Sequence, residues 1–103
     1  MVRRGAARLV KRGEVWSTKI GPCVVLSPPE LLGSLPTVIV APMSTHSIDV
    51  PFRVPVKFDG KDGLILIDQL RAVRARSLLR PLGRLDATTL SGSLDALIEL
   101  FTA

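Results

Sequence analysis

Short apolar runs, each broken by proline, glycine or a polar cluster, organise this chain. The longest is Thr37-Val38-Ile39-Val40-Ala41-Pro42-Met43. A continuous apolar run of this length reads as a strand buried on both faces. Pro42 has no N–H to give to a ladder, so regular pairing is expected to end or bulge near it. Ser44-Thr45-His46 follows at once, which places three polar side chains where a core strand reaches the surface. Glu14 to Thr18 mixes polar and apolar residues and predicts a half-buried strand. Ile20-Gly21-Pro22 predicts a turn and Cys23 to Leu26 a second buried strand, so the two form a tight hairpin. Pro28-Pro29 ends it, and Glu30 to Pro36 reads as a loop with one helical turn.

Beyond His46 the period changes. Phe52, Val54, Val56 and Phe58 alternate with polar residues along one face, and Pro55 makes this an edge or bulged strand. Asp59-Gly60-Lys61-Asp62-Gly63 is dense in turn formers. Leu64 to Leu70 reads as a further strand, extending towards Val73 and carrying Asp68 and Gln69 within it. Ser77 to Leu79 predicts a helical turn and Leu82 to Leu85 a last short strand. Asp86 is a good helix N-cap. Leu90, Leu94, Leu97, Ile98 and Phe101 then recur at helical spacing on a single face, which must be buried on the sheet or against a second subunit. Short strands, tight turns and one terminal helix predict a mainly β protein, a small strongly bent sheet or barrel with the helix over one open end.

With 103 residues the chain supports one small core. Its net charge of +5 is unevenly placed. Arg3, Arg4, Arg8, Lys11 and Arg12 carry five charges with no acid among them, and subtracting these from 14 basic residues leaves nine against nine acids in the rest. Residues 1–12 therefore read as a basic arm and residues 13–103 as the folded domain. A second cluster, Arg71, Arg74, Arg76, Arg80 and Arg84, is also free of acids. Such clusters attract polyanions; a solvated arm and a solvated edge are the alternative. The single cysteine, Cys23, excludes an internal disulfide and a multi-cysteine zinc site and fits a reducing cytosol. No apolar segment is long enough to predict a membrane span.

One histidine excludes a two-imidazole acid/base design. No metal-ligand spacing, phosphate-binding glycine loop or nucleophile elbow is present, so no cofactor is expected. Ser44, Thr45, His46 and nearby cations remain. That set suits phosphodiester cleavage through RNA's own 2′-hydroxyl, which needs positioning, a proton acceptor and donor, and hydrogen-bond donors around the charged phosphorus. The same triplet also suits ordinary loop chemistry.

The chain resembles the MazF/PemK toxins of toxin–antitoxin modules. The resemblance is carried, in order, by Lys11-Arg12-Gly13-Glu14-Val15-Trp16, Pro22-Cys23-Val24-Val25-Leu26-Ser27, Val38-Ile39-Val40-Ala41-Pro42-Met43-Ser44-Thr45, Pro51-Phe52-Arg53-Val54, Gly63-Leu64, Asp68-Gln69-Leu70-Arg71-Ala72-Val73 and Arg80-Pro81-Leu82-Gly83-Arg84-Leu85. It implies an SH3-like barrel with a C-terminal helix, a cytoplasmic homodimer, and a metal-independent, sequence-selective endoribonuclease acting on single-stranded RNA. It also implies a cognate antitoxin whose acidic segment covers the RNA groove. The family's catalytic hydroxyl falls on Ser44, with Thr45 beside it. Its arginine, just before the proline that opens the second strand, falls on Gly21. Lys19, Arg53 or an arm arginine are the candidates to replace that charge, and Lys19, His46, Arg53 and Gln69 are the expected RNA contacts. A member that binds antitoxin or RNA without cutting, and a CcdB-like toxin directed at gyrase, are the alternatives.

Overall fold

The computed structural model describes residues 9–102. Seven antiparallel strands form one curled sheet: β1 (Glu14–Thr18), β2 (Gly21–Val25), β3 (Thr37–Ser44), β4 (Arg53–Phe58), β5 (Lys61–Leu66), β6 (Arg71–Arg74) and β7 (Arg80–Arg84), followed by one helix, α1 (Ala87–Leu100). The order is β4-β5-β3-β2-β1-β7, with β6 also paired to β3. The sheet stays open between β4 and β7, making a half-barrel. Its two edges approach where the Phe58 ring lies against Gly83, so closely that a Cβ on Gly83 would stand 3.1 Å from it.

β3 is the axis of the sheet, and it does not stop at Pro42. One edge pairs with β2, Cys23 opposite Pro42 and Val25 opposite Val40. Its other edge changes partner: Thr37 to Val40 pair with β6, Met43 and Ser44 with β5. Ala41 and Pro42 fall in the gap between the two, so the proline sits where pairing on that edge is interrupted rather than where the strand ends.

This partner change accounts for the main departure from the expected elements. β5 ends at Leu66, Ile67–Gln69 form a 3-10 turn, and only then does β6 begin. Leu70 N–H donates to the Ile67 carbonyl to close the turn. Asp68 and Gln69 are therefore not strand residues; both are exposed. β5 also starts three residues earlier than the turn-rich sequence suggests. Asp59 (φ 53°) and Gly60 (φ 75°) suffice for the turn, as in two-residue hairpins with positive φ at both positions, and Phe58 pairs with Lys61. In the β1–β2 hairpin the turn is Lys19-Ile20, with Gly21 and Pro22 already in the strand. The one-turn helix expected within residues 77–79 is a 3-10 turn at Ala75–Ser77.

The curl produces two apolar layers. Inside lie Val15, Val24, Leu26, Ala41, Ile65, Ile67 and Leu85, with Val54, Val56, Phe58, Leu90, Leu94 and Leu97 packed against them. Outside, Trp16, Cys23, Val25, Val38, Val40 and Leu78 form the second layer. Each fully buried aliphatic side chain, such as Ile65, contributes about 1.5–3 kcal/mol. The Asp86 carboxylate caps α1 by accepting from Thr89 N–H at 2.7 Å. Leu90, Leu94 and Leu97 of α1 face the sheet, whereas Ile98 and Phe101 are 65% and 76% exposed. The predicted apolar face is thus only partly covered within the chain. Of the expected arm, residues 1–8 lie outside the described residues; Arg12 Nε donates to the Leu26 carbonyl at 3.1 Å, which ties residue 12 to the body.

Candidate functional site

The end of β3 opens into a cleft of about 490 Å³ lined by Pro22, Met43, Ser44, Thr45, His46, Val56, Phe58, Asp59, Lys61, Gly63 and Leu82. Its floor continues the inner layer. Along β5, Ile65, Gly63 and Lys61 share one face by the two-residue strand period, and they pair with Val54, Val56 and Phe58 of β4. Ile65 is core; at Gly63 the side chain disappears and the layer opens. Gly63 is required by close approach, since a Cβ there would stand 2.8 Å from the Ser44 carbonyl oxygen.

Ser44 Oγ accepts a hydrogen bond from the His46 backbone N–H at 3.1 Å. A hydroxyl oxygen held this way keeps its own proton free to donate outwards. Thr45 Oγ1 and His46 Nδ1 are hydrogen-bonded at 3.0 Å, which leaves Nε2 as the ring's unengaged nitrogen. The polar triplet is thus locked by its own backbone and side chains at the end of β3, with Ser44 on the face of its partner Leu64 and the Thr45 side chain towards Gly63.

The other expected site residues are placed elsewhere. Lys19 lines a separate cleft of about 410 Å³ with Thr18, Ile20, Cys23, Arg71, Val73, Arg76, Ser77 and Leu79. Arg53 is engaged internally: Nε and Nη2 donate to the two Asp68 oxygens at 3.0 Å, and Nη1 to the Ile48 carbonyl at 3.1 Å. This fork lowers the Asp68 pKa and raises that of Arg53, in each case chiefly through the shared hydrogen bonds. It braces the segment between Ser44 and β4, at whose end Phe52 takes a positive φ of 70°, uncommon for a bulky residue. Gln69 is exposed beside Asp68. Gly21 carries no side chain, and a Cβ on it would meet nothing within 4 Å. Among the described residues no cluster of three His, Cys, Asp or Glu could hold a metal ion, and no helix is long and apolar enough to cross a membrane.

Lys61 was hidden within a stretch read as turn. An Asp-Gly pair needs only two turn residues, so the following lysine begins a strand on the same face as Gly63 and Ile65; that parity was the available signal.

Residues 10–101 match the family described as PemK-like, MazF-like toxin of type II toxin–antitoxin system. The chain belongs to this family. No curated relative matches it by sequence. Among solved structures, an endoribonuclease from a mycobacterial species superposes with a TM-score of 0.80 at 19% identity, covering 89% of this chain and 90% of that one. A structure described as that of an endoribonuclease with its cognate antitoxin, also mycobacterial, gives 0.79 at 19% identity over 87% and 92% of the two chains. A MazE–MazF structure from Deinococcus radiodurans gives 0.76 at 26% identity over 90% and 95%. The mainly β half-barrel with one C-terminal helix is therefore the MazF-like fold, in a toxin of this family.

Proposed function

We propose that this toxin is an endoribonuclease that cuts single-stranded RNA at the β3 end, without a metal, through the substrate's own 2′-hydroxyl. The observation that carries the reading is the Ser44 hydroxyl, whose oxygen accepts from His46 N–H and whose proton is therefore free for a phosphoryl oxygen. With Nδ1 donating to Thr45, His46 Nε2 accepts the proton of the attacking 2′-hydroxyl. The 2′-oxygen bonds to phosphorus, the bond from phosphorus to the 5′-oxygen breaks, and that oxygen takes a proton from solvent water while the His46 imidazolium returns its own to the solvent, leaving a 2′,3′-cyclic phosphate and a 5′-hydroxyl. Thr45 orients the imidazole. Donors aimed at a developing oxyanion contribute about 10²–10³ in rate each.

Full-length protein incubated with a long RNA under chelator is expected to give discrete fragments with cyclic-phosphate or 3′-phosphate ends, and Ser44→Ala to slow this about a hundredfold or more. Intact RNA at every protein concentration would refute cleavage. A second reading, a toxin-fold protein that binds antitoxin or RNA without cutting, is favoured by Gly21, which offers no side chain to the site; RNA bound with a steep salt dependence yet never cut would establish it.

The domain assignment, a basic arm over residues 1–12 and a toxin domain over 13–103, belongs to the same proposal, as do a cytoplasmic location and a cognate antitoxin. A homodimer is supported by the exposed Ile98 and Phe101 at the end of α1, which a second subunit would cover. Light scattering that returns the mass of one chain would refute it.

A further inference from the structure

Cleavage at Ser44 places extra negative charge on a phosphate, and the sheet face that carries the hydroxyl needs a cation to meet it. We infer that Arg71 is that cation: its guanidinium binds the phosphate held by Ser44, from the same face of the sheet, in the role that Gly21 leaves open. This rests on the reading of Ser44 as the cleavage site.

Register decides which cations share a face with the Ser44 hydroxyl. Residues directly opposite in an antiparallel pair project to one face, and faces alternate along each strand. Val40, Pro42 and Ser44 lie on one face of β3. Arg71 stands opposite Val40 and Cys23 opposite Pro42. The β2–β3 register, continued by two residues, brings Gly21 opposite Ser44, and Thr18 stands opposite Gly21. Arg71, Cys23 and Thr18 line one cleft with Lys19 and Arg76. That cleft therefore shares the face of Ser44 and reaches its row, and no carboxylate is among the described residues that line it. The other cations are disposed differently. Lys61 leaves β5 on the face of Ile65 and Met43, opposite to Ser44. Arg53 shares the Ser44 face through Leu66 but is held by Asp68 and Ile48. Lys19 and Arg76 come from turns, where no ladder sets their side chains. Arg71 makes no ion pair among the described residues, where Arg53–Asp68 forms the salt bridge.

Geometry favours reach. Burial raises the Cys23 thiol pKa, while the Thr18 hydrogen bond and then the Arg71 charge lower it, so the guanidinium stands towards Cys23. From the Val40 row to the row of Pro42 and Cys23 is two residues, about 6.6 Å, which an extended arginine side chain covers. A second step of about 6.6 Å leads to the Ser44 row. A phosphate spans that step, one oxygen accepting from Ser44 Oγ and another from the guanidinium at about 2.8 Å. Gly21 puts no side chain in the way, and a Cβ there would meet nothing within 4 Å. The guanidinium fork matches a phosphate with two parallel donors. Strand β6 thus supplies, from across β3, the charge that Gly21 on β2 does not.

Arg71→Met, Arg71→Lys and a control, Arg74→Met, test this in the full chain. Arg74 is exposed and lies on the opposite face of β6 from Arg71 and Val73. One arm measures binding of a 2′-fluoro RNA, which cannot be cut, across a salt series. The other measures single-turnover cleavage of the all-ribo RNA. Arg71→Met should reduce the slope of log K against log salt by about 0.7, the value of one lost phosphate contact on a single strand, and slow cleavage about a hundredfold. Arg71→Lys should restore the slope but only part of the rate, since an ammonium lacks the fork; Arg74→Met should change neither. Combined with Ser44→Ala, Arg71→Met should weaken binding by about twofold or more less than the product of the two single losses, because groups on one phosphate are coupled. Losses that simply multiply, wild-type slope and rate in Arg71→Met, or equal losses in Arg74→Met would each overturn the inference while leaving cleavage at Ser44 intact. Coupled losses with no cleavage by wild type would do the reverse, keeping the shared phosphate and refuting the nuclease. Arg71 is exposed, so the variants fold, and unchanged thermal midpoints verify this.

Discussion

The backbone of Gly63 packs so closely on Ser44 that a Cβ at position 63 would stand 2.8 Å from the Ser44 carbonyl oxygen. Real Cβ atoms do not come so near, so a side chain there must push β3 and β5 apart where the hydroxyl is held. Gly63→Ala is expected to cost about 1–3 kcal/mol of stability, the usual range for overpacking. It should also slow RNA cleavage by up to about a hundredfold, as displacement of a positioned group by about 1 Å does. Denaturant unfolding and single-turnover cleavage read the two effects. An alanine variant with wild-type values for both would show that the contact is not needed.

Gly21 presents a different restriction. There is open space around it, but its φ is +107°, a backbone conformation that L side chains rarely adopt. Placing an arginine there is therefore not a free gain of charge. Gly21→Arg and Gly21→Ala are expected to lose similar stability, about 1–3 kcal/mol, measured by denaturant midpoint. If only the arginine variant also cleaves faster, the guanidinium itself is responsible.

The Arg53–Asp68 fork braces residues 46–52 rather than facing the Ser44 cleft. Asp68→Asn is expected to speed amide exchange in that segment several-fold while barely changing global stability, since an exposed pair contributes little. Asp68 has a folded pKa below its ordinary value. Its contribution is therefore complete at neutral pH and is lost as pH falls through and below the ordinary carboxylate range. Exchange in the wild type should approach that of the variant in acid, and no difference at neutral pH would refute the bracing role.

Cys23 is fully buried, and burial raises its thiol pKa against a lowering hydrogen bond from Thr18. Because the thiolate is the reactive form, native protein at about pH 8 is expected to react with a disulfide reagent at least about tenfold more slowly than unfolded protein. Equal rates would place the thiol at the surface.

Much of this protein can be read along the chain. The buried run from Thr37 to Met43, the alternation from Phe52 to Phe58, the cap at Asp86 and the helical recurrence of leucines after it are local consequences of side-chain period and backbone chemistry. Ser44, Thr45 and His46 were legible as a site because a core strand delivers them to the surface together. What pairs with what was not legible. That β3 changes partner across Ala41 and Pro42, that Asp68 and Gln69 leave the sheet in a 3-10 turn, that Arg53 is spent on Asp68, and that Lys19 and Ser44 lie in different clefts all depend on register and curvature. A one-residue step in register moves a side chain to the other face, and no local pattern fixes that step. Lys61 illustrates it: in sequence it is one residue of a turn-rich stretch, and only the pairing of β5 with β3 and β4 sets it on the face of Met43, Gly63 and Ile65, opposite to Ser44 and Leu64.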